Sequence, residues 1–320
     1  MKIFTCIFLI LSIVGLQAKT IYVKADGTGD GTSWADATGN LAAALETATY
    51  GDQVWVARGV YHPTHQDDRN ATFEVFDGVK MYGGFIGNET TLEQRDWVKN
   101  KTILSGEIGT PAIEDNVFSV LYTHNVSEAT IIDGFTITKG AANGTNDKGS
   151  MERCGGGWFN EGRGGSSNPT IANCIFIHNY AQDGAGIYNY ANEGVCNPKI
   201  NNCQFIENKA GLDGGAIYND SKMGICNPII KDCKIINNQA TYGGGILNNA
   251  LNGEASPSII GCSFEDNTGY IRAGSIFSYE KEGGRCSPSI TSSFFSDNKA
   301  TVGKEINEEQ VVSRGVLKKM

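Results

Sequence analysis

Proline and positive charge are both scarce in this sequence. Only 7 of its 320 residues are Pro, and 26 Lys and Arg stand against 35 Asp and Glu, which gives a formal net charge of -9 at pH 7. Such an acidic balance excludes nucleic acid as an expected partner. Because 40% of the residues are hydrophobic, the chain can bury a sizeable core, and disorder is not expected.

Long apolar runs are also missing, except at the beginning. Residues 1–18 run from a single Lys through an apolar stretch to Ala18, which is the pattern of a secretory signal peptide. The alternative is a retained anchor helix, for which this apolar run is short. No later stretch approaches the roughly 20 apolar residues of a membrane-spanning helix. We therefore expect no membrane span in the mature chain and an exported protein, secreted, periplasmic or held at the cell surface.

What the sequence does contain is a repeat. Five of the seven prolines form a regular series. They are Pro169, Pro198, Pro228, Pro257 and Pro288, at intervals of 29, 30, 29 and 31 residues. An Ile column keeps the same register, and so does an Asn column made of Asn179, Asn208, Asn238, Asn267 and Asn298. Self-similarity at a fixed period indicates a repeat architecture.

The pattern inside each unit predicts strands. Apolar positions alternate at a period of two, and Asn, Gly and Pro separate the pieces, which indicates three short strands joined by corners. One unit cannot bury an apolar face alone, but stacked units can. The repeat therefore predicts an all-β fold, a parallel β-helix (β-solenoid) of about 30 residues per coil that rises about 4.8 Å per coil. The right-handed form follows from the chirality of parallel connections.

The repeat also divides the chain. Residues 1–18 are the predicted signal peptide, 19–129 a cap with irregular first coils, 130–306 the regular coils and 307–320 a C-terminal tail. Residues 40–48 are amphipathic with Asn at the start, and they predict a short capping helix over the open end of the coil. The first regular coil is longer than the others by a loop, residues 143–153.

Several motifs resemble known exported proteins. Gly31-Thr32-Ser33-Trp34, Gly51-Asp52 and Tyr82-Gly83-Gly84-Phe85 are similar to segments of right-handed β-helix proteins of the pectin-lyase-like superfamily. Phe205-Ile206-Glu207-Asn208 and Gly214-Gly215-Ala216-Ile217 resemble the repeats of polymorphic outer-membrane proteins. The resemblance implies a right-handed parallel β-helix outside the cytoplasm. It does not choose an activity, because the superfamily contains lyases, hydrolases and adhesins.

Two further kinds of column have structural interpretations. The Asn column predicts stacked amides at a corner, which hydrogen-bond one another and the backbone. A cysteine column predicts an interior stack of thiols; its members are Cys174, Cys203, Cys233 and Cys262. Cys196 and Cys226 lie one coil apart at another corner, where a disulfide and two free thiols are both open.

An irregular polar line is the candidate catalytic site. It contains Asp183, Asp213, Tyr242 and Arg272, each four residues before the Ile of a glycine-rich strand. Two carboxylates about 5 Å apart have the separation of a retaining glycosidase pair, and they could also hold Ca²⁺. The alternative is a set of solvated turn residues, because Asp before Gly is common in turns. No other cofactor or metal is predicted.

An aromatic line is the candidate binding surface. Phe159, Tyr188, Tyr218 and Phe277 follow the glycine-rich pieces, and Tyr242 lies nearby. Facing outward they would form a platform for sugar rings, and facing inward they would be core. The long loop adds cations that could serve an elimination reaction or simply aid solubility; they are Lys148, Arg153 and nearby Arg163.

The sequence leaves two functions open. The first is non-enzymatic binding of glycans, as extracellular polysaccharide, or of a cell-surface partner along the flat faces of the coil. The alternative is a polysaccharide lyase or glycoside hydrolase with a groove on one face. The uniform coils and short loops favour binding, because they build no evident cleft.

Overall fold

The computed structural model describes residues 18–300, and in this range the chain is a parallel β-helix. The predicted signal peptide, apart from Ala18, and the predicted tail 307–320 lie outside the described residues. Four sheets run along the helix, and every strand pairs in parallel with the equivalent strand of the next coil. The regular coils therefore carry four short strands each, where the sequence predicted three.

The four sheets follow one another around each coil, and we call them the first to fourth sheet. The nine strands of the first sheet are Thr20–Val23, Gln53–Ala57, Lys80–Phe85, Ile131–Asp133, Thr170–Ala172, Lys199–Asn201, Ile229–Lys231, Ser258–Ile260 and Ser289–Thr291. The eight strands of the second are Gly59–Tyr61, Thr102–Ser105, Phe135–Thr138, Ile175–Ile177, Gln204–Ile206, Lys234–Ile236, Ser263–Glu265 and Phe294–Ser296. The six strands of the third are Ala141–Ala142, Tyr180–Asp183, Lys209–Asp213, Gln239–Tyr242, Thr268–Arg272 and Lys299–Ala300. The seven strands of the fourth are Phe73–Glu74, Leu121–His124, Trp158–Glu161, Ile187–Tyr190, Ile217–Asp220, Ile246–Leu251 and Ile276–Lys281.

Left-handed residues turn the chain at the corners. Between the first and second sheets, Asn173, Asn202 and Asp232 have φ of 53°, 51° and 54°, and Gly261 has 65° in the next coil. Asn, Asp and Gly adopt this conformation at lower cost than other residues. The polar corner in each repeat is therefore required by the backbone.

The predicted helix is present and covers the first coils. It spans Leu41–Thr47, and the Asn40 side chain accepts a hydrogen bond from the backbone N–H of Ala43. Leu41, Ala44 and Leu45 are buried in the main core. Two short 3-10 helices, Leu92–Gln94 and Ile113–Asp115, complete the helical content of the described chain. Among residues 18–300, no helix is long and apolar enough to cross a bilayer.

The interior is built from the predicted columns. Ile171, Ile200 and Ile230 are buried in register, and the Phe176 and Phe205 rings stack with their centroids 5.0 Å apart. The cysteine column is buried beside them, as predicted, and all eight described cysteines are free thiols. Cys196 and Cys226 thus carry no disulfide in this structure.

The Asn column forms the predicted ladder. Asn208 Nδ2 donates to Oδ1 of Asn238 at 3.0 Å and to the Phe176 carbonyl at 2.9 Å, and the neighbouring coils repeat this arrangement. A second ladder, not predicted, runs through the fourth sheet, where Asn189 donates to Asn219 at 2.9 Å. Both ladders are buried, so the amides satisfy one another where water cannot.

Candidate functional site

The predicted polar line exists and ends the strands of the third sheet. Asp183 is the register partner of Asp213, which pairs with Tyr242, which in turn pairs with Arg272. The four side chains therefore lie on four successive coils. Asp183 and Asp213 are neighbours, whereas Arg272 lies two coils beyond Asp213.

The predicted aromatic line lies on the fourth sheet and points away from the main core. Phe159, Tyr188, Tyr218 and Phe277 are in register, with Leu247 between the last two. The residues immediately before them, such as Ile187, pack inside the coil. The alternation of the strand thus directs the rings outward. Successive rings stack, with centroids 5.5 Å and then 5.0 Å apart from Phe159 to Tyr218.

Glycine brings the two lines together. Gly184, Gly214 and Gly243 turn the chain from the third sheet into the fourth, with φ of 65°, 62° and 64°. A Cβ atom on Gly214 would lie 2.6 Å from the carbonyl oxygen of Ile217, which leaves no room for another residue. The polar line and the aromatic line consequently face each other across a tight corner. We call these two lines, with the loop 143–153 that lies on them, the corner site.

The loop 143–153 covers one half of the corner site. Met151 packs against the aromatic cluster. As a result Phe159, Tyr188 and Tyr218 are only 2%, 0% and 1% exposed. The outward platform predicted for these three rings is therefore wrong as a free surface, because the loop, which occurs once, buries them.

The other half of the corner site is open. Tyr242 and Phe277 are partly exposed and stack with their centroids 5.8 Å apart. The guanidinium of Arg272, an exposed residue, lies 6.0 Å from the centroid of the Phe277 ring, within the range of a cation–π contact. These three residues remain available as a binding surface.

Loop cations neutralise the aspartate pair. Lys148 Nζ lies 2.6 Å from Oδ2 of Asp213 and 3.2 Å from Oδ1 of Asp183. Arg153 Nε donates to the other oxygen of Asp183 at 2.8 Å. The side chains of Asp183 and Asp213 are 0% and 18% exposed, so the expectation of solvated turn residues is wrong. Lys148 and Arg153 fix the loop, while Arg163 pairs with Glu161 at 3.1 Å.

Burial and charge perturb this cluster. Burial raises the pKa of Asp213, and repulsion from Asp183 adds to the rise, against the opposing effect of Lys148. Burial lowers the pKa of Lys148, but the two carboxylates outweigh it and the net pKa is raised. Asp220 is also buried with a raised pKa, and it accepts a hydrogen bond from the Tyr188 hydroxyl at 2.5 Å. The corner thus favours positive charge and keeps Lys148 protonated.

One of these partners, Asp220, was not predicted from the sequence. Asp220 lies in a column with Glu161, Tyr190 and Asn249, whose chemistry changes in every coil. A periodic pattern cannot reveal a column without a constant residue. A tyrosine two residues before an acid within one strand, as in Tyr218 and Asp220, was the available signal.

The described part of the chain contains no preformed metal site. Residues 18–300 contain no group of three or more His, Cys, Asp and Glu placed to hold an ion. Between Asp183 and Asp213, where Ca²⁺ was considered, the ammonium of Lys148 occupies the space.

Comparisons with known proteins give one matching repeat and three similar solved structures. The Chlamydia polymorphic membrane protein repeat matches residues 202–220, which contain both repeat motifs predicted to resemble it. No curated protein matches the chain. Among solved structures, the chain is similar to pectate lyase Pel9A, with 12% identity over 89% of this chain and 79% of that one and a TM-score of 0.48. It is similar to a rhamnogalacturonan lyase, with 14% identity over 87% of this chain and 67% of that one and a TM-score of 0.42. It is also similar to the pectin methylesterase from Aspergillus niger, with 13% identity over 92% of this chain and 94% of that one and a TM-score of 0.33.

Proposed function

We propose that this protein is an exported β-helix that binds extracellular polysaccharide through the open half of the corner site and does not cleave it. The observation that carries the proposal is the group formed by the partly exposed Tyr242 and Phe277 and the exposed Arg272. Aromatic faces pack against the C–H faces of sugar rings, and a guanidinium donates several hydrogen bonds to oxygen. The group spans two successive coils, about 4.8 Å apart, which is close to the length of one sugar residue.

Export is supported by two observations. Residues 1–18 have the pattern of a secretory signal, and residues 202–220 match a repeat of a membrane protein. A cell-surface partner is the other ligand that the flat faces could accept. The same binding experiment separates the two, because a protein partner would leave purified polysaccharide unbound.

The test is affinity electrophoresis of the mature chain in gels that contain neutral or acidic polysaccharides. We expect retardation by at least one polysaccharide and about a tenfold weaker effect in Phe277→Ala and Arg272→Ala, since each removes about 1.4 kcal/mol or more of contact. Tyr50→Ala is the matched control, because Tyr50 is 67% exposed and lies near the opposite end of the β-helix. Equal retardation of all four proteins would contradict the proposal.

One observation favours the second candidate, a glycoside hydrolase or polysaccharide lyase. Asp183 and Asp213 form a close pair in which the pKa of Asp213 is raised, as in acid–base catalysis. Against cleavage, Lys148 bridges the pair and Asp183 is fully buried. We expect no reducing ends and no unsaturated product absorbing in the near ultraviolet. Product formation that Asp213→Asn or Arg272→Ala abolishes would make the enzyme the better interpretation.

A further inference from the structure

The ammonium group of Lys148 is enclosed although the residue lies in a loop. Besides the two carboxylates, Nζ donates to the Tyr218 hydroxyl at 3.2 Å. The same nitrogen lies 4.8 Å from the centroid of the Tyr218 ring, where the π face attracts a cation. The two carboxylates and the aromatic face together form a site that recognises a protonated primary amine.

One acceptor in this site remains unsatisfied. Oδ1 of Asp183 is buried and has no hydrogen-bond partner, although the ammonium of Lys148 is 3.2 Å away. The ion pair is close but not aligned for a hydrogen bond. A buried carboxylate oxygen without a donor is costly, so the site has capacity for a donor that the tethered lysine does not supply.

The charges around Lys148 leave an acidic excess. Asp183, Asp213 and Asp220 contribute three carboxylates, while Lys148 and Arg153 contribute two cations. Additional positive charge is therefore favoured, and an anionic sugar is repelled. An acetylated amine carries no charge and would leave Arg153 as the one cation among three carboxylates.

The site can be reached from the surface. The Lys148 side chain is 33% exposed, and the next coil carries Tyr242, the register partner of Asp213, in the open half of the corner site. A glycan on Tyr242 and Phe277 would thus place its next residue beside the ammonium site.

We propose that this site recognises the protonated amine of an amino sugar, and that Lys148 is a tethered occupant which the sugar amine replaces. The proposal rests on the polysaccharide binding proposed above and names its class as a glycan with free amino groups.

The test compares a soluble glucosamine oligomer with its N-acetylated counterpart by calorimetry, using wild type and Lys148→Ala. Removing the tethered occupant should tighten binding of the free-amine oligomer by about tenfold or more and leave the acetylated oligomer unchanged. Lys231→Ala, on the first sheet, is the control and should match wild type. Asp213→Asn in the Lys148→Ala background should remove the gain.

Equal binding of the two oligomers to Lys148→Ala, or an unchanged affinity for the free amine, would overturn the inference. If Lys148→Ala does not fold, Lys148→Met keeps an apolar stem of similar length, donates no hydrogen bond to the carboxylates and should show the same preference. The two proposals fail separately. If Phe277→Ala loses retardation and Lys148→Ala shows no preference for the free amine, the proposal of polysaccharide binding stands and the ammonium site is wrong. If Lys148→Ala binds glucosamine monomer but no protein is retarded by polysaccharide, the ammonium site alone is supported.

Discussion

Single asparagines stabilise this molecule through the ladders that they join. Asn208 accepts a hydrogen bond from Asn179 in the preceding coil and donates to Asn238 in the next one. It also donates to the Phe176 carbonyl in the preceding coil. We expect Asn208→Ala to lower the free energy of unfolding by about 1–3 kcal/mol, because buried partners on both sides lose a bond. Urea denaturation measures this, with the exposed Asn70→Ala as the control. A neutral result for Asn208→Ala would contradict the ladder.

The stability that Glu89 contributes depends on pH. Burial acts to raise its pKa, but backbone N–H groups of Ile86, Gly87 and Asn88 donate to the carboxylate and the net pKa is lowered. The contribution of the Glu89 carboxylate to stability is therefore fully present above the pKa of Glu89 in the unfolded chain. It is lost as the pH falls through the lower pKa of Glu89 in the folded protein.

Glu89→Gln should accordingly be less stable than wild type by about 1–3 kcal/mol at neutral pH. The difference should shrink as the pH falls below the ordinary glutamate pKa of 4.5. Denaturant titrations between pH 7 and 3 measure it, with the exposed Glu46→Gln as the control. A difference that stays constant with pH would show that packing, and not ionisation, matters at this position.

Among the elements, the capping helix depends on its first turn. Asn40 accepts from the Ala43 N–H at 3.0 Å and fixes where the helix begins. Asn40→Ala should cost about 1 kcal/mol, and Asn40→Asp much less, because the carboxylate also accepts this bond. Thermal unfolding of both variants measures the difference. Equal losses would mean that the cap hydrogen bond does not stabilise the helix.

The sequence predicted repeated elements well and unique elements poorly. The strands and the ladder of Asn179 to Asn298 could be predicted because each occurs at a spacing that neighbouring coils repeat. The capping helix occurs once and was predicted from its own amphipathic pattern and the Asn at its start. The third sheet was missed as a separate element because its strands are short and end at glycine. Burial of Tyr188 and Tyr218 was missed because the loop 143–153 occurs once, and no periodicity reports where a single loop lies. The ion pairs of Asp183 and Asp213 depend on the same loop.

At the scale of the whole molecule, the coil is the unit of the fold. Lys199 pairs with Ile229 across one coil, and Pro precedes each of them. Deleting residues 199–228 therefore joins Pro198 to Ile229 as Pro228 is joined now, and strand pairing with the preceding coil is kept. We expect the shortened chain to retain a cooperative thermal transition and a strand-rich circular dichroism spectrum.

Deleting residues 199–213 instead is the matched control. It removes half a coil, places strands of different sheets in one column and should abolish the transition. If both deletions behave alike, the coils are not interchangeable units.

The parallel pairing of successive coils also determines how the molecule answers a pulling force. Backbone hydrogen bonds between coils run along the long axis, so tension on the two ends would open them one after another, as a zipper opens. Each coil of about 30 residues would release roughly 100 Å of extended chain. A β-helix built in this way lengthens in regular steps under load, and a force-extension record would count its coils.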